Sequence, residues 1–225
     1  MNNYNIKSKY ISNNNSLSGN GINELYEGIL QNKKITQISI SQCNLNDDDI
    51  EVLSNALYKN IYIQDLNLVQ NKISEKGIKI LSEKIFPKIS LKKVYLGHNL
   101  INEKCGFYLE KCLPESIGLQ RLMLNSNKIL DEGVKYIAEG LIKNNTLMEL
   151  NIENNKITNF GLKLLSNALN KNKNFLKLIF VIIYVLKLMK KLINYLIDVL
   201  KLNFMGIKCQ KIQLLIWLIE EKIIN

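Results

Sequence analysis

Residues 119–146 read LQRLMLNSNKILDEGVKYIAEGLIKNNT, and residues 147–174 read LMELNIENNKITNFGLKLLSNALNKNKN. The second stretch repeats the first at a spacing of 28 residues. The coinciding pairs are Leu119 and Leu147, Leu122 and Leu150, Leu124 and Ile152, Asn127 and Asn155, Ile129 and Ile157, and Gly133 and Gly161. A fixed period of about 20–50 residues is the signature of a solenoid built from stacked repeats.

The same period extends the array beyond this pair. Windows that start at Ile35, Ile63 and Leu91 keep the apolar and turn positions, and a worn window starts at Lys7. The worn window lacks apolar residues at its strand positions, which is typical of the capping repeat that closes a solenoid. We therefore predict a solenoid of about six repeats over residues 1–180, with a degenerate first repeat.

Each window contains two successive periodicities. The opening LxxLxL pattern alternates apolar and polar residues, which predicts a short strand with one buried face. Apolar residues then recur at helical spacing, as Ile78, Leu81 and Ile85 do in the third window. Stacked strands lie about 4.8 Å apart and packed helices about 8–10 Å apart, so the array must curve. The prediction is an α/β solenoid, a horseshoe with a parallel concave sheet and convex helices.

One slot after each predicted strand carries a small polar side chain. An asparagine there can bond backbone groups where the strand turns away, and stacked asparagines can do so from one repeat to the next. We predict that this slot forms a structural turn ladder. Its members are Asn15, Cys43, Asn71, Asn99, Asn127 and Asn155.

These residues carry a family resemblance. The pattern LxxLxLxxNxI in a 28-residue repeat with a helical second half resembles the ribonuclease-inhibitor-like class of leucine-rich repeats. That class uses asparagine or cysteine in the turn slot, and it includes ribonuclease inhibitor, the Ran GTPase-activating protein and the repeat arms of nucleotide-binding immune receptors. The resemblance covers roughly residues 5–180 and implies the horseshoe fold. Because the module serves many partners, it implies protein binding without naming a partner.

Composition and charge narrow the function. The chain carries a formal charge of +10, but the lysines are scattered over the repeats without an Arg-rich or aromatic-interleaved patch, so we predict no nucleic-acid partner. Four cysteines without CxxC spacing and a single histidine do not complete a zinc set, so free thiols in a reducing compartment are expected. The N-terminal MNNYNIKSKY has no signal-peptide pattern, and we expect a cytoplasmic location.

The motifs give no support for catalysis. His98 lies beside a turn-slot asparagine, and no nucleophile with an orienting carboxylate is predicted next to it. No GxxxxGK[ST] phosphate loop occurs. We predict a non-enzymatic protein without a cofactor, a metal site or a small-molecule substrate.

The strand side chains that point to the concave side form the predicted docking face for another protein. Tyr95, Arg121 and Met123 are its predicted central anchors, because aromatic and arginine side chains dominate interface hot spots. Mixed charge on this face argues against a nucleic-acid groove. The predicted binding residues are Asp65, Asn67, Lys93, Tyr95, His98, Arg121, Met123, Asn125, Glu149, Asn151 and Glu153.

The repeat pattern ends near Phe180. The predicted tail, residues 181–225, is apolar and basic, and the turn slot due at position 183 holds Ile183. Three interpretations remain open for it. It is a helical cap, or an amphipathic helix over residues 184–202 on an anionic membrane, or the product of a shifted reading frame. The third interpretation rests on the genetic code. Consecutive asparagine codons AAT, read in a frame shifted by one base, give ATA, which encodes isoleucine.

Two functions therefore stand beside protein docking. The resemblance to the Ran-directed member of the family implies a GTPase-activating regulator of a Ran-like small GTPase, although a basic apolar tail replaces that member's acidic one. The amphipathic segment 184–202 would instead make the chain a peripheral membrane protein.

Overall fold

The computed structural model describes residues 8–13, 17 and 21–172, in which strands and helices alternate along the chain. The strands are β1 (Ser8–Ser12), β2 (Gln37–Ser41), β3 (Asp65–Asn67), β4 (Lys93–Tyr95), β5 (Arg121–Met123) and β6 (Glu149–Asn151). The helices are α1 (Ile22–Gln31), α2 (Asp47–Lys59), α3 (Glu75–Lys84), α4 (Cys105–Cys112), α5 (Leu130–Lys143) and α6 (Asn159–Lys171).

These strands form one sheet in chain order, and every neighbouring pair is parallel. From β2 onward, paired residues are 28 positions apart, as Gln37 and Asp65 are. Each strand is followed by a helix that packs against the next helix, which gives a second layer. The predicted α/β solenoid with a parallel concave sheet and convex helices is confirmed.

Strand β1 departs from the predicted period. Ser8 pairs with Gln37 and Ser12 with Ser41, which is an offset of 29 residues. Helix α1 keeps the period of 28, because its C-cap Asn32 corresponds to Asn60, the C-cap of α2. The predicted phase of the first window is therefore wrong by one residue in β1, and the additional residue lies between β1 and α1.

Two apolar positions per repeat build the sheet side of the core. They are the second residue of strands β2–β6 and the residue two positions later, and each is at most 7 % exposed. Burying one such side chain stabilises the fold by about 1.5–3 kcal/mol. The residues are Ile38, Ile40, Leu66, Leu68, Val94, Leu96, Leu122, Leu124, Leu150 and Ile152.

Carboxylates at the start of one helix cap the start of the next. Asp131 Oδ1 accepts hydrogen bonds from Thr158 N at 2.8 Å and from Gly161 N at 3.2 Å. Asp47 Oδ1 accepts from Ser74 N at 2.8 Å in the same way. A Cβ atom at Gly161 would collide with the Asp131 carboxylate, so glycine permits this close approach. The bonds satisfy helix N–H groups that would otherwise lack partners.

Several predictions concern parts of the chain outside the described residues. They are the turn-ladder role of Asn15, the division at residue 180, and the amphipathic segment 184–202 with its membrane role. These remain predictions. Within the described ranges, no helix combines the length and apolarity needed to cross a membrane.

Candidate functional site on the concave face

Side chains on the concave face form rows, because equivalent residues of neighbouring strands pair. The predicted binding residues of β3–β6 lie side by side in two such rows. The first row contains Ser8, Gln37, Asp65, Lys93, Arg121 and Glu149, and the second contains Tyr10, Ser39, Asn67, Tyr95, Met123 and Asn151.

Lateral bonds cancel charge within the first row. Lys93 Nζ lies 2.9 Å from Asp65 Oδ2, and Arg121 Nε lies 2.9 Å from Glu149 Oε2. The hydrogen bond to Asp65 raises the pKa of Lys93 above its ordinary value, so this lysine stays charged at neutral pH. Partly exposed pairs of this kind contribute about 0–1 kcal/mol each. Their main effect is to orient the side chains and leave no strongly charged groove.

The second row provides an apolar surface at the middle of the sheet. Tyr95 and Met123 are paired neighbours, and both are partly exposed. Beside them, 48 % of the Arg121 side chain is exposed. Tyrosine, methionine and arginine are enriched in the buried centres of protein interfaces. This cluster has the composition of a docking centre.

Turns fix the polar side chains at the margin of the second row. Asn67 Oδ1 accepts from Val69 N at 3.0 Å, and Asn151 Oδ1 accepts from Glu153 N at 2.9 Å. Each amide therefore holds its own strand end in a turn. The same bonds orient the two side chains.

His98 and Asn125 lie at the ends of β4 and β5. His98 is exposed in the left-handed conformation with φ 55°, and its backbone N donates to Asn125 O at 3.0 Å. A Cβ atom at Gly97 would lie 2.7 Å from Asn125 Oδ1. Glycine at position 97 thus makes room for the Asn125 side chain. The predicted binding residue Glu153 is partly exposed after β6.

Behind this face, turn-slot asparagines link each repeat to the preceding one. Asn127 Oδ1 accepts from Asn99 N at 3.0 Å and from Ile101 N at 3.2 Å. Its Nδ2 donates to Leu96 O at 3.1 Å and to Leu124 O at 2.9 Å. Bonds of the same type are made by the buried side chains of Asn71, Asn99 and Asn155.

Cysteine replaces asparagine at the second turn slot and keeps a donor role. Cys43 Sγ lies 3.2 Å from Ser41 O and 3.8 Å from Ile11 O. The backbone N of Cys43 donates to Asn71 Oδ1 at 3.1 Å, so the ladder continues through this repeat.

The residue before each of the five described turn slots has a positive φ of 54–57°. For residues other than glycine this conformation costs about 1–2 kcal/mol. The ladder bonds of the following side chain offset that cost in each repeat. The residues concerned are Gln42, Gln70, His98, Ser126 and Asn154.

A second periodic row, absent from the sequence predictions, lies at the C-caps of the helices or, in α3 and α4, three residues after them. We call it the C-cap row, and it comprises Asn32, Asn60, Lys88, Ser116, Asn144 and Asn172 at intervals of 28 residues. Asn60 Nδ2 donates to Ile29 O at 2.8 Å and to Asn32 O at 2.9 Å. Asn172 Nδ2 likewise donates to the backbone oxygens of Leu141 and Asn144. Their recurrence every 28 residues was the available signal.

Other chemical groups in the described residues lie away from the concave face. A cavity of about 300 Å³ lies where α3, α4 and α5 begin, and Glu103, Phe107 and Tyr136 are among its lining residues. Burial raises the pKa of the Cys105 and Cys112 thiols to about 12, so both are protonated at neutral pH. Within residues 8–13, 17 and 21–172, no three His, Cys, Asp or Glu side chains are grouped to hold a metal ion.

The fold and its repeated turn ladder define a leucine-rich-repeat solenoid. The family model described as Leucine Rich repeat matches residues 119–138 and 143–166. The search of curated proteins finds no match.

The chain is similar to three solved structures, among others. Leiomodin-1 Actin-Binding Site 2 has 16 % sequence identity, a TM-score of 0.46, and coverage of 74 % of this chain and 80 % of its own. The tropomodulin C-terminal domain of Caenorhabditis elegans has 15 % identity, a TM-score of 0.48, and coverage of 78 % and 89 %. An internalin from Listeria monocytogenes has 18 % identity, a TM-score of 0.37, and coverage of 61 % and 41 %.

Proposed function

We propose that this protein is a non-catalytic interaction module that binds another protein through its concave face. The observation that carries the proposal is the central cluster of Tyr95, Met123 and Arg121. These side chains are adjacent, at least partly exposed, and flanked by polar residues in fixed positions. Interfaces combine such a centre with a polar rim.

A capture experiment with matched variants tests this proposal. The concave variant is Tyr95→Ser/Arg121→Gln/Met123→Ser, and the control is Phe107→Ser/Lys135→Gln on the helical layer. We expect the wild type and the control to capture the same protein and the concave variant to lose it. The purified pair should then show a Kd weakened at least about 100-fold by the concave substitutions. Equal binding by all three proteins would remove the concave face from the proposal.

The GTPase-activating alternative makes a different prediction. It requires that the chain accelerate GTP hydrolysis by a Ran-like GTPase, and Arg121 on the sheet is no support for it because its guanidinium is bonded to Glu149. We expect the hydrolysis rate to be unchanged when the protein is added in excess. Acceleration would replace the docking proposal by the regulatory one.

We also propose that the repeats belong to the ribonuclease-inhibitor-like class. Two features support this: α-helices of 8–14 residues follow the strands from β1 to β6, and the described turn slots hold asparagine or cysteine.

Free, buried Cys43, Cys105 and Cys112 support a reducing compartment such as the cytoplasm. The domain proposal remains a solenoid over residues 1–180 and a separate tail over residues 181–225. Tail deletion that leaves the unfolding midpoint of the solenoid unchanged would support this division.

A further inference from the structure

Three isoleucines protrude from the loops that follow successive helices. Ile61, Ile89 and Ile117 are 66 %, 68 % and 61 % exposed, respectively. They are 28 positions apart, so they occupy the same place in three adjacent repeats. Neighbouring repeats are separated by about 5 Å at the strands and about 10 Å at the helices. The three side chains therefore form a contiguous line, which we call the isoleucine edge.

Further apolar side chains lie beside this line. Tyr58 and Tyr62, next to the first isoleucine, are 61 % and 39 % exposed, and Met148 in the fifth such loop is 40 % exposed. Lys88 Nζ lies 5.5 Å from the centre of the Tyr58 ring. Single exposed apolar residues are common on protein surfaces and need no explanation. Here, by contrast, isoleucine recurs at the same position of three repeats and two tyrosines lie beside the first, so the exposed apolar side chains form a patch.

The charge around the isoleucine edge is positive. The loops over residues 32–36, 60–64, 85–92, 113–120 and 144–148 contain four lysines and one carboxylate, Glu115. Lys59, Lys143 and Lys171 add positive charge as the last residues of their helices. The opposite edge, where helices begin, carries acidic residues in the first turns of α2, α3 and α5.

The helix dipoles account for part of this pattern. Each helix C-terminus carries about half a negative charge, which lysines offset. Six helix ends would contribute about three negative charges, fewer than the excess of lysines counted above. The dipoles also give no reason for isoleucine to occupy an exposed position in three loops. The apolar line and the remaining positive charge together need another explanation.

We propose that the isoleucine edge docks on an anionic membrane surface. Protruding isoleucines can enter the boundary between headgroups and acyl chains, where an amphipathic surface is buried by about 5–10 Å. Tyrosine is favoured at this interface, and lysine stems can lie along apolar groups while the ammonium groups bind phosphates. A lipid surface also requires no complementary shape, which suits side chains that protrude from loop tips. This docking would leave the concave face open to a protein partner, and the proposal does not depend on that partner.

Vesicle co-sedimentation of the full chain tests the proposal. The vesicles are phosphatidylcholine alone, or an equal mixture of phosphatidylcholine and phosphatidylserine. We expect binding to the anionic vesicles, weak binding to phosphatidylcholine, and release at high salt as the charges are screened. The edge variant is Ile61→Ser/Ile89→Ser/Ile117→Ser. Its binding should fall at least about tenfold, because three apolar side chains lose membrane contact.

The matched control removes three exposed apolar side chains elsewhere, as Leu100→Ser/Phe107→Ser/Phe160→Ser. It should bind as the wild type does. All substituted residues are exposed, so circular dichroism should show unchanged folding. The proposal is overturned if the wild type does not bind anionic vesicles or binds both vesicle types equally. It is also overturned if the edge variant binds as well as the wild type, which would place membrane binding in another segment such as 184–202.

A comparative fluorescence readout separates the edge from the tail, because Trp217 of the tail contributes equally to both variants. Tryptophan is introduced as Ile89→Trp or, for comparison, as Phe160→Trp. On addition of anionic vesicles, the emission of the first variant should shift to shorter wavelength relative to the second. Identical emission changes in both variants would contradict insertion at the edge.

Discussion

Side chains of the turn ladder and of the C-cap row both bond backbone groups that would otherwise lack partners, one after the strand and one after the helix. The two rows differ in how many residue types they allow. Asn71, Asn99, Asn127 and Asn155 hold four consecutive turn slots, whereas lysine and serine interrupt the C-cap row. The asparagine side chains in these four slots accept and donate at once. At a helix C-terminus the unsatisfied groups are carbonyls, so donors alone can serve. Asn144 also accepts bonds, but Lys88 and Ser116 occupy the same row as donors alone. The C-cap row therefore tolerates more residue types than these four turn slots.

The largest expected effect is that of Asn127→Ala. The substitution removes one acceptor and one donor group that serve buried backbone atoms of two repeats. Each buried group left unsatisfied costs about 1–3 kcal/mol, so we expect a loss of about 4 kcal/mol or more. Urea unfolding monitored by circular dichroism measures it. Asn125→Ala, on a partly exposed neighbour, should cost less than about 1 kcal/mol. Similar losses for both would contradict the ladder's role.

Leu150→Ala provides an apolar reference for the two rows. Leu150 is 3 % exposed in β6, and its truncation leaves a cavity. We expect a loss of about 3 kcal/mol, within the usual range of about 2–5 kcal/mol. A loss below about 0.5 kcal/mol in the same unfolding experiment is a surface value and would mean that β6 is out of register.

Asn144→Ala breaks the C-cap row at a buried asparagine. Asn144 Nδ2 donates to Leu113 O, and its Oδ1 accepts from Thr146 N and Leu147 N. We expect a loss of about 2 kcal/mol, because the bonds to Leu113 O and Leu147 N are buried and the bond from Thr146 N is only part-buried. Ser116→Ala in the same row removes one bond to Cys112 O and should cost about 1 kcal/mol. If Asn144→Ala cost as much as Asn127→Ala, the two rows would be equally strict.

Lys88→Asn tests whether the C-cap row accepts any suitable donor. Lys88 Nζ donates to Leu57 O, Tyr58 O and Asn60 O, which lie one repeat before it. An asparagine can reach the first and third of these, by analogy with Asn60. We expect a change within about 1 kcal/mol by urea unfolding. Lys88→Ala should be less stable than Lys88→Asn, and the reverse order would exclude a capping role.

The smallest effect is a dependence on pH. Burial lowers the pKa of Lys88 below its ordinary value of 10.5, so the unfolded chain holds this proton to higher pH. Stability should therefore rise slightly with pH as the ordinary value is approached. The difference in unfolding free energy between the wild type and Lys88→Asn, measured from neutral pH to pH 10.5, should shift in favour of the wild type. A shift toward the variant would contradict the sign of the pKa change.

A structural position could be predicted from the sequence when the same type of residue occupies it in every repeat. Strand, helix and turn-slot positions repeat one residue class every 28 residues, so they were predictable. The C-cap row was hidden because Lys88 and Ser116 have unlike side chains. The left-handed positions were hidden more completely, since Gln70, His98 and Ser126 share neither charge nor shape. There the backbone of the turn dictates the conformation, and the side chain type hardly matters.

The predicted strand register was wrong in the first repeat, where the sequence pattern is least regular. The first window offers few apolar residues to fix its phase, and β1 pairs one residue away from the predicted position. A one-residue slip in a strand exchanges its two faces, so the pairing of Ser8 with Gln37 could not be read from a worn repeat. The binding residues on β3–β6 lie in a part of the array where apolar anchors are regular.

The bonds of the turn ladder also have a direction along the chain. Asn71, Asn99, Asn127 and Asn155 each bond their own repeat and the repeat before it. The partner of each side chain in these bonds precedes it in the sequence and has therefore already been synthesised. During synthesis at about 5–20 residues per second, a new repeat leaves the ribosome every few seconds and finds its docking surface already formed. The array can therefore assemble vectorially, from the first repeat to the last, while the chain is still being translated.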